Sequence, residues 1–182
     1  MPTILSHPAV PLALGLGLGR RAVPPRLLTA GIVASVLPDL DVIASYFGVP
    51  SSAELGHRGF SHSPFFAALV AVAGAAGRRA LGASSAQAFV FLFMAMASHG
   101  VLDALTRGGP GVAFLWPVTG QRFFAPVRMI EVSSFGVAWL FSSRGATVLV
   151  SELRWIWLPS GLLTLVLAGL RFSCSRSRSL IP

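Results

Sequence analysis

Between Ala9 and Phe172 the chain is a succession of apolar stretches, each closed by arginines, prolines or glycines. Several approach or reach the roughly 20 residues that a helix needs to cross a bilayer. Only 11% of the 182 residues are charged and 54% are hydrophobic, whereas a soluble domain carries about 25% charged residues. Water is a poor solvent for such a surface. The expected fold is all-α: a polytopic helical membrane protein with about five to six apolar helices in one domain. That domain spans residues 1–172, and residues 173–182, rich in serine and arginine, read as a disordered basic tail able to lie on anionic lipid.

Breakers divide the stretches. The first, Ala9 to Gly19, is short and ends at Arg20, Arg21, Pro24, Pro25 and Arg26. The second runs from Leu27 to about Val49 and is interrupted by Pro38-Asp39-Leu40-Asp41. Proline disfavours α geometry at the residue before it, so a break is expected near Leu37. The third starts at Pro64, with Ser63 as N-cap, and ends at Arg78 and Arg79. The fourth, from about Ser85 to Leu105, is stopped by Gly108, Gly109, Pro110 and Gly111. Residues 112–128 read as a structured loop. A fifth helix, about Ile130 to Phe141, is too short to span comfortably and reads as re-entrant or interfacial, and a last one covers about Trp155 to Phe172.

The formal net charge of +8 comes from arginine alone, in pairs and singles between apolar segments. That placement fits lipid headgroups rather than a duplex-binding stripe, so no nucleic-acid partner is expected. The single cysteine, Cys174, offers neither a disulfide framework nor a thiolate cluster. No basic region precedes the first apolar stretch, so no removable signal peptide is expected.

Against this background the rare ionisable residues stand out. Four histidines and six acids are present, and most fall in tight groups: His7; Asp39 and Asp41; His57 and His62; His99 and Asp103. An ionisable group at membrane depth costs at least ~2.5–3.5 kcal/mol and marks function by default. Alternating the helices between a side A, which carries Arg20 and Arg26, and a side B puts all four groups on side B. His7 precedes the first helix, the second returns towards B with Asp39 and Asp41, and the following loop carries His57 and His62. The fourth helix brings His99 and Asp103 back to the same face. The short arginine-bearing loop tilts side A towards the cytoplasm.

His99 and Asp103, at i and i+4, share one helix face and can ligate one ion or two adjacent ions. Asp39 and Asp41 flank one residue at a helix break, where they can bridge two ions or divide between ligand and supporting partner. The expected metal ligands are therefore His7, Asp39, Asp41, His57, His62, His99 and Asp103, with Asp41 also read as catalytic. Imidazole and carboxylate donors suit zinc, with manganese or iron also accommodated. A cation so held acidifies its water and polarises a phosphoryl or carbonyl oxygen. Arg58, between the loop histidines, can pair with phosphate bidentately and is the second catalytic candidate. Glu54 and Glu152 read as headgroup-level residues, Glu131 as a candidate general base, and Phe89, Phe91 and Phe93 as lipid-facing or packing aromatics.

Together Ser6-His7, Pro38-Asp39-Leu40-Asp41, His57-Arg58-Gly59-Phe60-Ser61-His62-Ser63 and Ser98-His99-Gly100-Val101-Leu102-Asp103 resemble the YdjM-like family of bacterial inner-membrane, metal-dependent hydrolases, some described as LexA-regulated. Leu115-Trp116-Pro117 is similar to the family's segment after the last motif, and the resemblance covers roughly residues 6–117 in order and spacing. It implies a multi-pass inner-membrane hydrolase acting on a phospholipid-like phosphoester. A fainter likeness, through histidine and aspartate at i, i+4, points by analogy to the all-helical zinc phospholipase C and nuclease group. Two other readings use the same residues: a metal or proton transporter, and a non-catalytic scaffold with a structural metal. Transporters place their sites near the midplane between inverted repeats, whereas these ligands gather at one face and no inverted repeat is visible.

Overall fold

The structure is a computed structural model, and it describes residues 1–132 and 141–179. The helices are α1 (Ala9–Leu18), α2 (Pro25–Val36), α3 (Val42–Tyr46), α4 (Pro64–Ala76), α5 (Arg78–Leu81), α6 (Ser85–Ala104), α7 (Ser143–Glu152) and α8 (Leu158–Ser179). No named strand occurs among the described residues; only isolated bridges pair Thr106 with Ile130 and Val112 with Phe123. Three segments are long and apolar enough to cross a membrane: Pro25–Tyr46, Ser85–Ala104 and Ser143–Cys174. The expected all-helical membrane architecture is the one observed.

The breakers act where their chemistry requires. Pro24 and Pro25 start α2, and a 3-10 turn over Leu37–Asp41 joins α2 to α3 at the Pro38 break. Ser63 caps α4 by accepting from the Phe66 N–H at 3.1 Å, with Pro64 as first helical residue. Ser84 and Gln87 form a reciprocal capping box on α6, and the Gln87 amide also donates to the Arg21 carbonyl, tying this helix end to the α1–α2 loop.

Two regions depart from the sequence-based expectation. The last helix is much longer than Trp155 to Phe172, because α7 runs through a π turn at Leu153–Trp157 directly into α8. Pro159 would clash with the carbonyl four residues back, at Trp155, and widening that turn accommodates the ring. The basic tail expected to be disordered from 173 instead begins as helix, continuing to Ser179. Arginine is a good helix former, and neither glycine nor proline interrupts residues 170–179. The short helix expected over Ile130 to Phe141 falls largely on residues 133–140, outside the described residues.

Helix α6 is the centre of the bundle, packed by α2 and α4, while α1 packs on α8 and α2. The interior is built from small residues, with Ala34, Ala71, Ala88 and Ala95 almost wholly buried alongside Leu27, Phe91 and Leu92. Small side chains let helix backbones approach, which is how helices associate when lipid competes for apolar contact. A Cβ placed on Gly17 would lie 2.7 Å from the Leu167 Cβ, so α1 and α8 meet at backbone distance there. The same holds beside His99: a Cβ on Gly100 would come within 2.7 Å of the His62 carbonyl oxygen.

Gly100 therefore sets how closely the Phe60–His62 turn sits on α6. Gly100→Ala should lower the thermal unfolding midpoint in detergent, since overpacking a filled site costs typically ~1–3 kcal/mol. Gly161→Ala, where no atom lies within 4 Å of the added methyl, should leave the midpoint unchanged or raise it. Equal midpoints for Gly100→Ala and wild type would show that this contact does not seat the turn.

Candidate metal centre

Helix ends build the centre. His7 stands just before α1, Asp39 lies in the 3-10 turn after α2, His62 closes the turn before α4, and His99 and Asp103 occupy the last turns of α6. Asp39, His62, His99 and Asp103 are buried, and each offers a ligand atom within 4.8 Å of the others. The His99 and His62 Nε2 atoms face each other at 3.0 Å. Asp103 Oδ2 lies 3.2 Å from His62 Nε2, and Asp39 Oδ1 lies 3.4 Å from His99 Nε2. His7 stacks on His99, ring centroids 3.6 Å apart and planes at 15°, with its Nε2 3.8 Å from Asp39 Oδ2 and 4.0 Å from Asp103 Oδ1.

Surrounding groups set the tautomers. His99 Nδ1 lies 2.7 Å from the Ser35 carbonyl, an acceptor, so Nδ1 carries the proton and Nε2 presents a lone pair. Pro38 helps to leave that carbonyl free, having no N–H to return three residues back to Ser35 in the 3-10 turn. His62 Nδ1 lies 3.2 Å from Asp41 Oδ2, which turns its Nε2 towards Asp103 and His99. Nitrogen lone pairs that converge beside two carboxylates repel unless a positive charge sits among them. Consistent with that, neither nitrogen of His7 and neither oxygen of Asp39 makes a well-aligned hydrogen bond, and Asp103 Oδ2 is met only at ion-pair distance, by Arg58 Nε at 2.9 Å and by His62 and His99 at 3.2 and 3.9 Å. Orphaned buried polar atoms are rare and signal a missing ion or solvent, so the donor set fits a divalent cation.

Protonation preferences agree. Burial alone would lower the His62 pKa, but the Asp103 and Asp41 carboxylates beside the ring carry it up to about 9. Burial and then the neighbouring His99 push His7 down to about 3, which keeps this ring neutral and able to ligate.

Asp41 and His57 form the adjoining layer. Asp41 Oδ1 pairs with His57 Nδ1 at 2.7 Å, while Oδ2 accepts from Ser61 Oγ at 2.6 Å and the Arg58 N–H at 3.1 Å. With both oxygens engaged, Asp41 orients the imidazoles. Asp41, His57 and His62 also form a second possible ligand group. A cavity of about 390 Å3 is lined by Met1, Tyr46, His57, Arg58, Pro110 and Val132, and it brings solvent space to this layer. Arg122 donates to the carbonyls of His57, Ser51 and Ala53 and fixes the loop, and burial lowers its pKa.

Several expectations need correction. Arg58 is fully buried and bonded within the protein: Nε reaches Asp103 Oδ2 at 2.9 Å, one terminal nitrogen donates to the Gly108 carbonyl and the other to Thr106 Oγ1. Its contacts position Asp103, and it also lines the cavity. Its φ of +65° is left-handed, a strained conformation for a side chain of this size. Glu131 pairs with Arg107 and Arg144 at 3.0 and 3.2 Å, which removes it as a general base of this centre. Glu152 is no headgroup-level residue. It is buried and accepts from Thr3 Oγ1 at 2.7 Å, Ser6 Oγ at 2.8 Å and the Thr3 N–H. Sequence reasoning missed its role, although a lone acid inside the apolar run Val148–Trp157 was the available signal.

Comparison with known proteins agrees with this picture. The family described as YdjM inner membrane protein matches residues 1–175. The inner membrane protein YbcI of Escherichia coli (strain K12) is 46% identical over 164 residues, covering 90% of this chain and 95% of that protein. No solved structure matches.

If Asp41 orients the ligands, Asp41→Asn should weaken metal affinity by ~10–100-fold, the usual scale for such supporting partners. His99→Ala should reduce it further. Competition against a chromophoric chelator measures both, and unchanged affinity in His99→Ala would move the site elsewhere.

Proposed function

The chain belongs to the YdjM inner membrane protein family, and from that membership and its buried His/Asp centre we propose that it is a membrane-bound, metal-dependent hydrolase of lipid-like phosphoesters. The observation that carries the reading is the convergence of His62 Nε2, His99 Nε2, Asp39 and Asp103 in a buried pocket where Asp39 makes no well-aligned hydrogen bond and Arg58 is, among the described residues, the one guanidinium paired with Asp103. Beside it lies a cavity with His57 in its wall, and Asp41 pairs with this imidazole from behind.

In this reading the cation is zinc, with manganese or iron as alternatives that the same donors suit. When bound, it acidifies a water molecule and polarises a phosphoryl oxygen. The chain's own groups do the rest. Asp39, Asp103, His62 and His99 hold the ion; Ser35 and Asp41 keep both imidazoles in the ligating tautomer. His57, its Nδ1 fixed on Asp41, is the cavity-wall group that takes up or delivers a proton at Nε2. Arg58 holds Asp103 in place. A cavity that joins this polar wall to Val42 and Tyr46, at the end of a membrane-spanning segment, suits a substrate that carries its phosphoester at the lipid surface.

Reconstitution in liposomes tests the proposal. Wild-type protein should release phospholipid headgroups, and His99→Ala should lose at least ~10²-fold of that rate, the scale on which loss of transition-state charge stabilisation is felt. Sealed vesicles should show no metal flux. Flux without headgroup release, abolished by His99→Ala, would establish a transporter and end the hydrolase reading.

A further inference from the structure

Asp39 and Asp103 each direct their two oxygens to different imidazoles. Asp39 Oδ1 faces His99 Nε2 at 3.4 Å, and its Oδ2 faces His7 Nε2 at 3.8 Å. Asp103 Oδ2 faces His62 and His99, at 3.2 and 3.9 Å, and its Oδ1 faces His7 at 4.0 Å. The distances to His7 are too long for hydrogen bonds, and both nitrogens of this fully buried ring lack a partner. Burying an imidazole in this way is costly unless something else binds it.

We propose that the centre takes two divalent cations: one on His62 and His99, the second on His7, with Asp39 and Asp103 bridging them. This inference rests on the metal-dependent reading of the same site and assigns the number of ions and the residue that each half depends on. The stacking of His7 on His99 is its main geometric support. Parallel rings 3.6 Å apart, both turned towards the same pair of carboxylates, present parallel lone pairs rather than two ligands for one point. Their separation matches the ~3.5–4 Å between the ions of paired-metal hydrolytic sites. Charge agrees as well. Asp39, Asp41 and Asp103 supply three negative charges and Arg58 one positive. Two divalent ions would leave a surplus of two positive charges, which a phosphoester anion complements.

A strap supports the second position. Residues Thr3 to His7 are held by Glu152 through the Thr3 N–H, Thr3 Oγ1 and Ser6 Oγ, and Ser6 Oγ also accepts from Trp157 Nε1 at 3.1 Å. Glu152, at the α7 end, is thereby a positioning residue for His7 and has no direct contact with the cation. The His62–His99 half does not use this strap.

The test uses the full chain, purified in detergent, stripped with chelator and loaded with Mn2+. Elemental analysis counts the ions, and electron paramagnetic resonance reports whether they are adjacent. Wild type should bind two equivalents and show an exchange-coupled pair. His7→Ala, or His7→Gln if the alanine variant does not fold, should retain one ion with an uncoupled signal. Glu152→Gln should weaken the second equivalent by about tenfold, the lower end of the range for supporting partners, and leave the first unchanged. Saturation of wild type at one equivalent would overturn the inference, as would a coupled pair surviving in the His7 variants. A one-ion protein that still cleaves phosphoesters would leave the hydrolase reading intact. A two-ion protein that cleaves none would do the reverse, and a protein that binds no cation would end both.

Discussion

Two carboxylates, Asp39 and Asp103, lie buried in a helical bundle made mostly of alanine, glycine and aliphatic side chains, and much of the structure answers to them. A charge removed from water is stable only where it is paired and coordinated. The pairing is elaborate. Arg58 is driven into a left-handed conformation, a strain of about 1–3 kcal/mol for a residue of this kind, and its guanidinium reaches Asp103 across the end of α6. That conformation is over-determined. The Arg58 N–H donates to Asp41, its carbonyl accepts from Ala113, and its guanidinium also holds Thr106 and Gly108. The 50–59 loop, the 106–113 loop and the α6 terminus are thereby joined around one negative charge.

The same constraint explains why the site sits at helix ends. A helix interior satisfies its own backbone and leaves little polarity to spare, whereas termini offer unpaired carbonyls and N–H groups. The Ser35 carbonyl that orients His99, the Ser63 cap that starts α4 beside His62, and the 3-10 turn bearing Asp39 and Asp41 are all terminal features. The antiparallel run of the bundle collects these ends at one place, and small residues bring them close. Gly100 lets the His62 turn rest on α6, so the two facing Nε2 atoms come within 3.0 Å.

Much of this was legible in the residues themselves. Scarce charge dictates helices in a bilayer, because an apolar solvent demands that each segment satisfy its own hydrogen bonds. Serine and proline marked the start of α4, and proline the break at Leu37, because their effects are local and depend on neighbours in sequence. The grouping of His7, Asp39, Asp41, His57, His62, His99 and Asp103 was legible for a related reason. In a chain so poor in ionisable residues, alternation of direction through successive helices is enough to predict which ends share a face.

What depends on contacts between distant segments was not legible. Nothing in the spacing of Arg58 says that its guanidinium turns inward to Asp103, 45 positions away, and not outward to a ligand. Glu152 meets Thr3 only because α1 packs against α8 and so draws the amino-terminal strap to the α7 end. Likewise, the last helix was expected to start near Trp155, whereas the π turn at Leu153–Trp157 carries α7 through to α8. By itself the sequence determined the solvent, the helical class and the set of groups able to hold a cation, since composition and local chemistry decide those. The tertiary structure decided which of these groups face one another, which partners orient them and how the amino-terminal strap is held, because those contacts rest on side-chain geometry between segments that only packing brings together.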